Sequence, residues 1–210
     1  MNDYNTLVGL LETYLTDVDN PMFNFKLAKH YDEMDHSASA ITYYLRTAER
    51  SDDKVLQYSA LIAAANCYEK EGFRNFTVKS IMRNAIFIDM ERPEGYLYMA
   101  QHHERLARNT SDKNDAIKHW HDCYFYASLG AKFATKNLPR LYVPSKYPGY
   151  YSLIFMKAMS AWWCGLCQES RDTFDKLMKE YGSVMHPEYI NAVKGNLEFF
   201  EKMKNEKQPK

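Results

Sequence analysis

The sequence has no surplus of charge in either direction: Lys plus Arg and Asp plus Glu stand at 27 each over 210 residues. No bulk field draws such a chain to nucleic acid or to an anionic membrane, so neither is expected as a partner. Cysteine is scarce, and Cys67, Cys123, Cys164 and Cys167 are too few and too unevenly placed for the disulfide framework of a secreted module. A reducing compartment suits them better. The opening MNDYNTLVGLLETYL lacks the basic flank of a signal peptide, and Lys157 interrupts the longest apolar run well short of a bilayer span. These absences point to a cytoplasmic chain, and its 46% apolar content is enough to build a continuous core.

What the chain has in quantity is aromatic residues, with 17 Tyr and 11 Phe. Tyr pairs an apolar body with a polar tip, which suits half-buried helix faces and grooves. Between Tyr4 and Leu15, Leu7, Val8, Leu11 and Leu15 recur at three or four residues and predict a lead-in helix over 3–17. TDVDN offers a stop and a cap, and Pro21 suits the first turn of the next helix.

From there a pattern repeats. Ala28 is followed three residues on by Tyr31, twelve on by Ala40 and sixteen on by Tyr44, with Asp35 and Ser37 where a turn and an N-cap are needed. Ala65, Tyr68, Thr77 and Ile81 reproduce the offsets, as do Ala158, Ala161, Ser170 and Phe174. Gly72 and Gly165 each stand seven residues after the small residue. A fourth copy opens with Ala100 and His103, but Ala116 comes sixteen residues later and Trp120 four beyond it, the turn NTSDKND carrying the extra length. Small residues at facing positions let two helices approach closely while aromatics fill the space beside them, so each unit predicts a helical hairpin. Ala28 to Ala65 is 37 residues and Ala65 to Ala100 is 35, close to the roughly 34 of a tetratricopeptide unit.

These offsets, with Gly72 and Gly165 in the turns, resemble the tetratricopeptide repeat family over roughly Pro21 to Met178. His103 and Ala161 depart from its usual Tyr, Asp35 and Ala107 from its turn Gly, and Lys157 from a Leu. The resemblance implies an all-α, α/α superhelix of about four hairpins at 21–50, 54–89, 93–135 and 149–180 in a single domain over 1–204. Helices at 3–17 and 187–204 would cap it, the last with Lys194, Glu198, Glu201 and Lys202 on a solvated face, before a disordered tail at 205–210. A narrower resemblance joins RPEGYLYMAQHHE, HWHDCYFYASLGAKFA and LYVPSKYPGYYSLIFMKAMSAWWCGLCQES to the helical extension that follows the catalytic domain in some bacterial and phage family-2 glycosyltransferases. No strand-rich nucleotide-binding half is present, and Asp17-Val18-Asp19 has the letters of a metal-holding DxD but lies between helices. That resemblance implies an accessory helical module.

The helix after Ala127 is expected to run through Lys136 into NLPRLYVPSKYPG, an irregular connection that Leu141, Tyr142, Val143 and Tyr147 would tie down. The WCGLC run has the CxxC spacing of a redox pair, and Cys167 lies near a helix expected to begin at Gln168. No strand precedes Trp162, however, and Gly165 already has a turn to make, so redox chemistry is not expected. His102, His103, His119, His121 and Cys123 cluster in sequence, but neighbours on a helix point about 100° apart. They read as packing or surface residues, with no metal and no cofactor expected.

In stacked hairpins of this family the first helix of each pair lines the concave side. The positions projecting there would be Phe25 and Lys29, then Ile62, Asn66 and Glu69, then Leu97, Gln101 and Glu104, then Phe155, Met159 and Trp162. The mixture suits an extended peptide, its backbone fixed by polar groups and its side chains buried on apolar ones. The expectation is therefore a non-enzymatic scaffold for a peptide or protein partner. Several of these residues, Trp162 above all, have packing as the competing role.

Overall fold

The computed structural model describes residues 2–72, 74–133, 138–144 and 147–206. Among these residues there are ten α-helices and no strand. Helix α1 spans Asn2–Thr16, followed by two hairpins, α2 (Pro21–Glu33) with α3 (Ser37–Arg50) and α4 (Lys54–Lys70) with α5 (Asn75–Ile88). Two more follow, α6 (Pro93–Asn109) with α7 (Lys113–Phe133) and α8 (Tyr151–Trp163) with α9 (Cys167–Tyr181), and α10 (Pro187–Glu206) comes last. The fold is an all-α set of tetratricopeptide-like hairpins. The end of the helix expected through Lys136, and most of the expected tail, fall outside the described residues.

The turns show why the offsets recur. Asp35, Gly72 and Gly165, each seven residues after its alanine, adopt left-handed backbone with φ of 58°, 70° and 78°. At Asp35 and Gly165 the same pair of bonds closes the first helix. His36 N donates to Tyr31 O at 2.8 Å and Leu166 N to Ala161 O at 2.9 Å, while Asp35 N and Gly165 N reach Asp32 O and Trp162 O. This is the Schellman arrangement, which satisfies carbonyls that the helix end leaves over. An L-residue with a Cβ pays about 1–2 kcal/mol there, so Asp35 is held by the hairpin it closes. The residue capping α3 is His36, not the expected Ser37, which is buried inside the first turn. Ala107 does not make a turn at all: α6 continues two residues past it, and Asp112 Oδ1 accepts from Asn114 N and Asp115 N to start α7.

The chain divides into two compact units, Met1–Met90 with Asn137–Ser145, and Glu91–Lys136 with Lys146–Lys210. In the first, Asn20 caps α2 through Met22 N and Phe23 N, with Pro21 in the first turn as expected. Ala28, Ala40, Ala60 and Ala64 have no exposed surface, and Phe25, Tyr44 and Leu56 fill the space beside them. Helix α1 packs on α2 with Leu7, Leu10, Leu11 and Tyr14 half-buried, while Val8 and Leu15 are exposed, which rotates the apolar face from the one expected. Tyr14 fixes that rotation, its ring edge-on to Tyr43 at 5.5 Å and its hydroxyl accepting from Arg46 at 2.8 Å.

In the second unit Gly130 of α7 marks a close approach to α6 and α8. A Cβ there would lie 2.6 Å from Tyr96 Cβ and 2.9 Å from a Leu153 methyl. Ser170, a small residue of the repeat, donates through Oγ to Ala158 O at 2.7 Å, so the fourth hairpin is joined by a buried hydrogen bond. Lys157, standing where the repeat favours Leu, pairs with Glu169 of α9 at 2.9 Å. Tyr124 of α7 donates to the same carboxylate at 2.7 Å. The Lys157 ammonium is the main reason that the Glu169 carboxyl is held below its ordinary range. Helix α10 seals the unit with Val193 and Phe200 inward, and Lys194, Glu198, Glu201 and Lys202 exposed.

Candidate functional site

The first helices of the hairpins, α2, α4, α6 and α8, carry the positions expected to meet a partner. Phe25, Ile62 and Leu97 are not on an open face: they keep 4%, 6% and 3% of their surface and belong to the core. Each of these helices is covered by its own partner helix and by further elements of its unit, so the apolar edge of the expected face turns inward. Lys29 is exposed and spans one turn to Glu33 at 3.8 Å, and Asn66 and Glu69 are half-buried on α4.

The first unit holds something the positions alone did not announce. The irregular segment 138–144 lies against it as a strap, tied mainly by Tyr142. Its backbone N–H donates to Ser59 Oγ of α4 at 3.0 Å, and its hydroxyl donates to Asp53 at 3.1 Å. The Tyr142 ring stands edge-on to Phe25 of α2 at 5.9 Å, and Val143 packs on the α2–α4 core. Phe25 is thus reached by the chain's own tyrosine. Of the other expected ties, Tyr147 belongs to the second unit, where burial pushes its hydroxyl well above the usual range.

In the second unit Phe155, Met159 and Trp162 are brought together along α8 and are half-buried. They line a cleft of about 330 Å³ shared with Arg108 of α6, Trp163 and Phe199. Trp162 packs edge-on against Phe199 and Phe200 of α10, both at 5.3 Å, so much of its surface is spent inside the unit. Glu104, half-buried, pairs with Arg108 at 2.9 Å, and Arg108 reaches Met159 Sδ at 3.5 Å while covering the Trp120 ring at 5.5 Å. Trp120 in turn stacks on Trp163 at 5.2 Å with planes 9° apart. Gln101, also half-buried, lies one turn before Glu104 on the same helix face. Arg108 was not singled out from the sequence. Its spacing of four from Glu104 was the available signal.

The cysteine pair is arranged as a turn. Cys164 ends α8, Gly165 takes the left-handed position and Cys167, not Gln168, opens α9. Burial pushes the Cys164 thiol up, away from the thiolate that redox exchange requires. Of the clustered histidines, His103 and His119 meet across the α6–α7 hairpin with their Nδ1 atoms 3.2 Å apart. Cys123 is buried, its thiol pushed up to about 12 mainly by that burial. The third polar neighbour is Asp122, which the sequence pattern of His and Cys did not include.

No protein-family profile matches the sequence, and no curated protein matches it. Solved structures do resemble it. Two crystal structures of MamA, a tetratricopeptide-like helical repeat protein, superpose with TM-scores of 0.52 and 0.54 at 13% and 12% identity. The first match covers 82% of this chain and 85% of that one, the second 86% and 84%. At such identity the likeness is one of fold. The resemblance to a glycosyltransferase extension finds no support among these structures.

Proposed function

We propose that this chain is a non-enzymatic interaction module that takes an extended peptide or protein segment against the first helices of its hairpins. The observation that carries this is the strap. Over Tyr142 and Val143 a stretch without secondary structure is held on α2 and α4 by one backbone hydrogen bond, one tyrosine hydroxyl and apolar contact. Those are the interactions by which a helical groove grips a foreign segment, with backbone bonds setting its course and pockets selecting its side chains. Lys29, Asn66 and Glu69 of the first unit, and Gln101, Glu104, Phe155, Met159 and Trp162 of the second, are the contact residues we assign to a partner. Phe25 contributes only by seating Tyr142.

The cleft of the second unit adds an apolar floor edged by Arg108, itself paired with Glu104, a composition suited to an aromatic or aliphatic anchor with a polar neighbour. No described helix is long and apolar enough to cross a membrane. The four free cysteines suit the reducing cytoplasm, where we place its work. Affinity capture from native lysate, comparing the wild-type chain with a Lys29→Ala, Asn66→Ala, Glu104→Ala variant, tests the reading. A partner retained by the first and lost by the second is expected. Capture that is identical for both would overturn the assignment. UDP-sugar binding by the chain, alone or with a catalytic partner, would favour the accessory-module alternative instead.

A further inference from the structure

We propose that His103, His119 and Asp122 form a binding site for a divalent transition-metal ion, with zinc as the expected occupant, that ties α6 to α7. His119 and Asp122 are three residues apart on α7, a spacing that places two side chains on one helical face. His103 comes from α6 and meets them across the hairpin. Its Nδ1 lies 3.2 Å from His119 Nδ1 and 3.3 Å from Asp122 Oδ2, and all three ligand atoms fall within 4.8 Å of one another. Metal–ligand bonds of about 2.0–2.1 Å in a tetrahedron require ligand atoms roughly 3.3–3.4 Å apart. Two of the three edges are therefore already at zinc spacing, and the third is within 4.8 Å.

The chemistry of the set points the same way. A single proton on His103 Nδ1 would be divided between two acceptors, a nitrogen and a carboxylate oxygen, whereas a divalent cation takes a lone pair from all three at once. Two imidazoles and one carboxylate select borderline metals over magnesium or calcium, which prefer all-oxygen sets. The site is also held in advance. His103 has no exposed surface, stacks on Tyr126 at 5.7 Å with planes 16° apart, and meets His102 edge-on at 5.6 Å. A ring fixed on two sides loses little freedom when it ligates. Asp122 is 48% exposed, which gives the ion a way in and leaves room for water at a remaining coordination position.

The test uses the full chain carrying Cys164→Ser and Cys167→Ser, which removes the CxxC thiols as a rival ligand set. Zinc is titrated in competition with a chromogenic chelator, and cobalt is titrated separately for its visible d–d bands. One equivalent of zinc is expected, with cobalt bands of low-coordinate intensity. His119→Ala and Asp122→Asn, both at partly exposed positions, are each expected to weaken binding at least about 100-fold, beyond what loss of an outer-shell partner costs. They should also abolish the rise in melting temperature that zinc gives the parent. His121→Ala, on the same helix outside the triad, should leave both unchanged. Zinc bound no more tightly by the parent than by His119→Ala, or a parent that shows no cobalt bands, would overturn the site.

Discussion

The two units apply one hairpin rule and finish it differently. In the first, the face of α2 and α4 is met by a strap held through Tyr142, Ser59 and Asp53, a polar grip on an irregular backbone. In the second, the face of α8 is met by another helix, α10, through the rings of Trp162, Phe199 and Phe200. A first helix needs something on its exposed edge, and either kind of cover will serve. An extended segment covers it through a few directional bonds, each contributing about 1 kcal/mol. A helix covers it through area. The difference predicts that the first face exchanges its cover more readily than the second.

The largest expected effect is at Gly130, where the second unit depends on close approach. Gly130→Ala forces its Cβ onto Tyr96 and Leu153 and should destabilise by about 3 kcal/mol, the upper end for overpacking. Gly72→Ala in the first unit meets no atom and should lose only about 1 kcal/mol, from left-handed strain. Denaturant titration of both variants reads the contrast, and equal losses would erase it. Trp162→Ala comes next, at about 2 kcal/mol for a half-buried ring. Hydrogen exchange should then accelerate across α10 while α2–α4 keep their protection.

Tyr142→Phe removes only the bond to Asp53 and should cost about 1 kcal/mol or less. Its signature is local: faster proteolysis within 138–144, with the second unit unaffected. The smallest effect is that of pH. Because the Glu169 carboxyl is held below its ordinary 4.5, its pairing stabilises the fold above that value and is lost as pH falls through the lower folded one. Glu169 is more than one third exposed, so the contribution is well under 1 kcal/mol. Glu169→Gln should flatten the acid limb of a melting-temperature profile by about that amount.

The hairpins were legible in the sequence because their determinants are local. A small residue, an aromatic three residues on and a turn residue four beyond that report on a single pair of helices, and Asp35, Gly72 and Gly165 share one backbone state for that reason. Even the departures made sense locally, since Lys157 has Glu169 of its own hairpin within reach. The sites were less legible because they are assembled at a distance. Ser59 and Asp53 lie 83 and 89 residues from the tyrosine they hold. The expectation that Tyr142 and Val143 tie down the connection rested on their size, which says nothing of where they land. Phe25 was assigned to an open face because periodicity shows which side of a helix is apolar, but not how many neighbours cover it.

The strap has one more consequence, for the order in which the molecule is made. The first unit is discontinuous: its last piece, Asn137–Ser145, is encoded after α6 and α7. A chain leaving the ribosome therefore presents α2 and α4 without Tyr142 while about seventy further residues are added, several seconds at ordinary elongation rates. During that interval the α2–α4 face lacks the cover that Tyr142 and Val143 later give it.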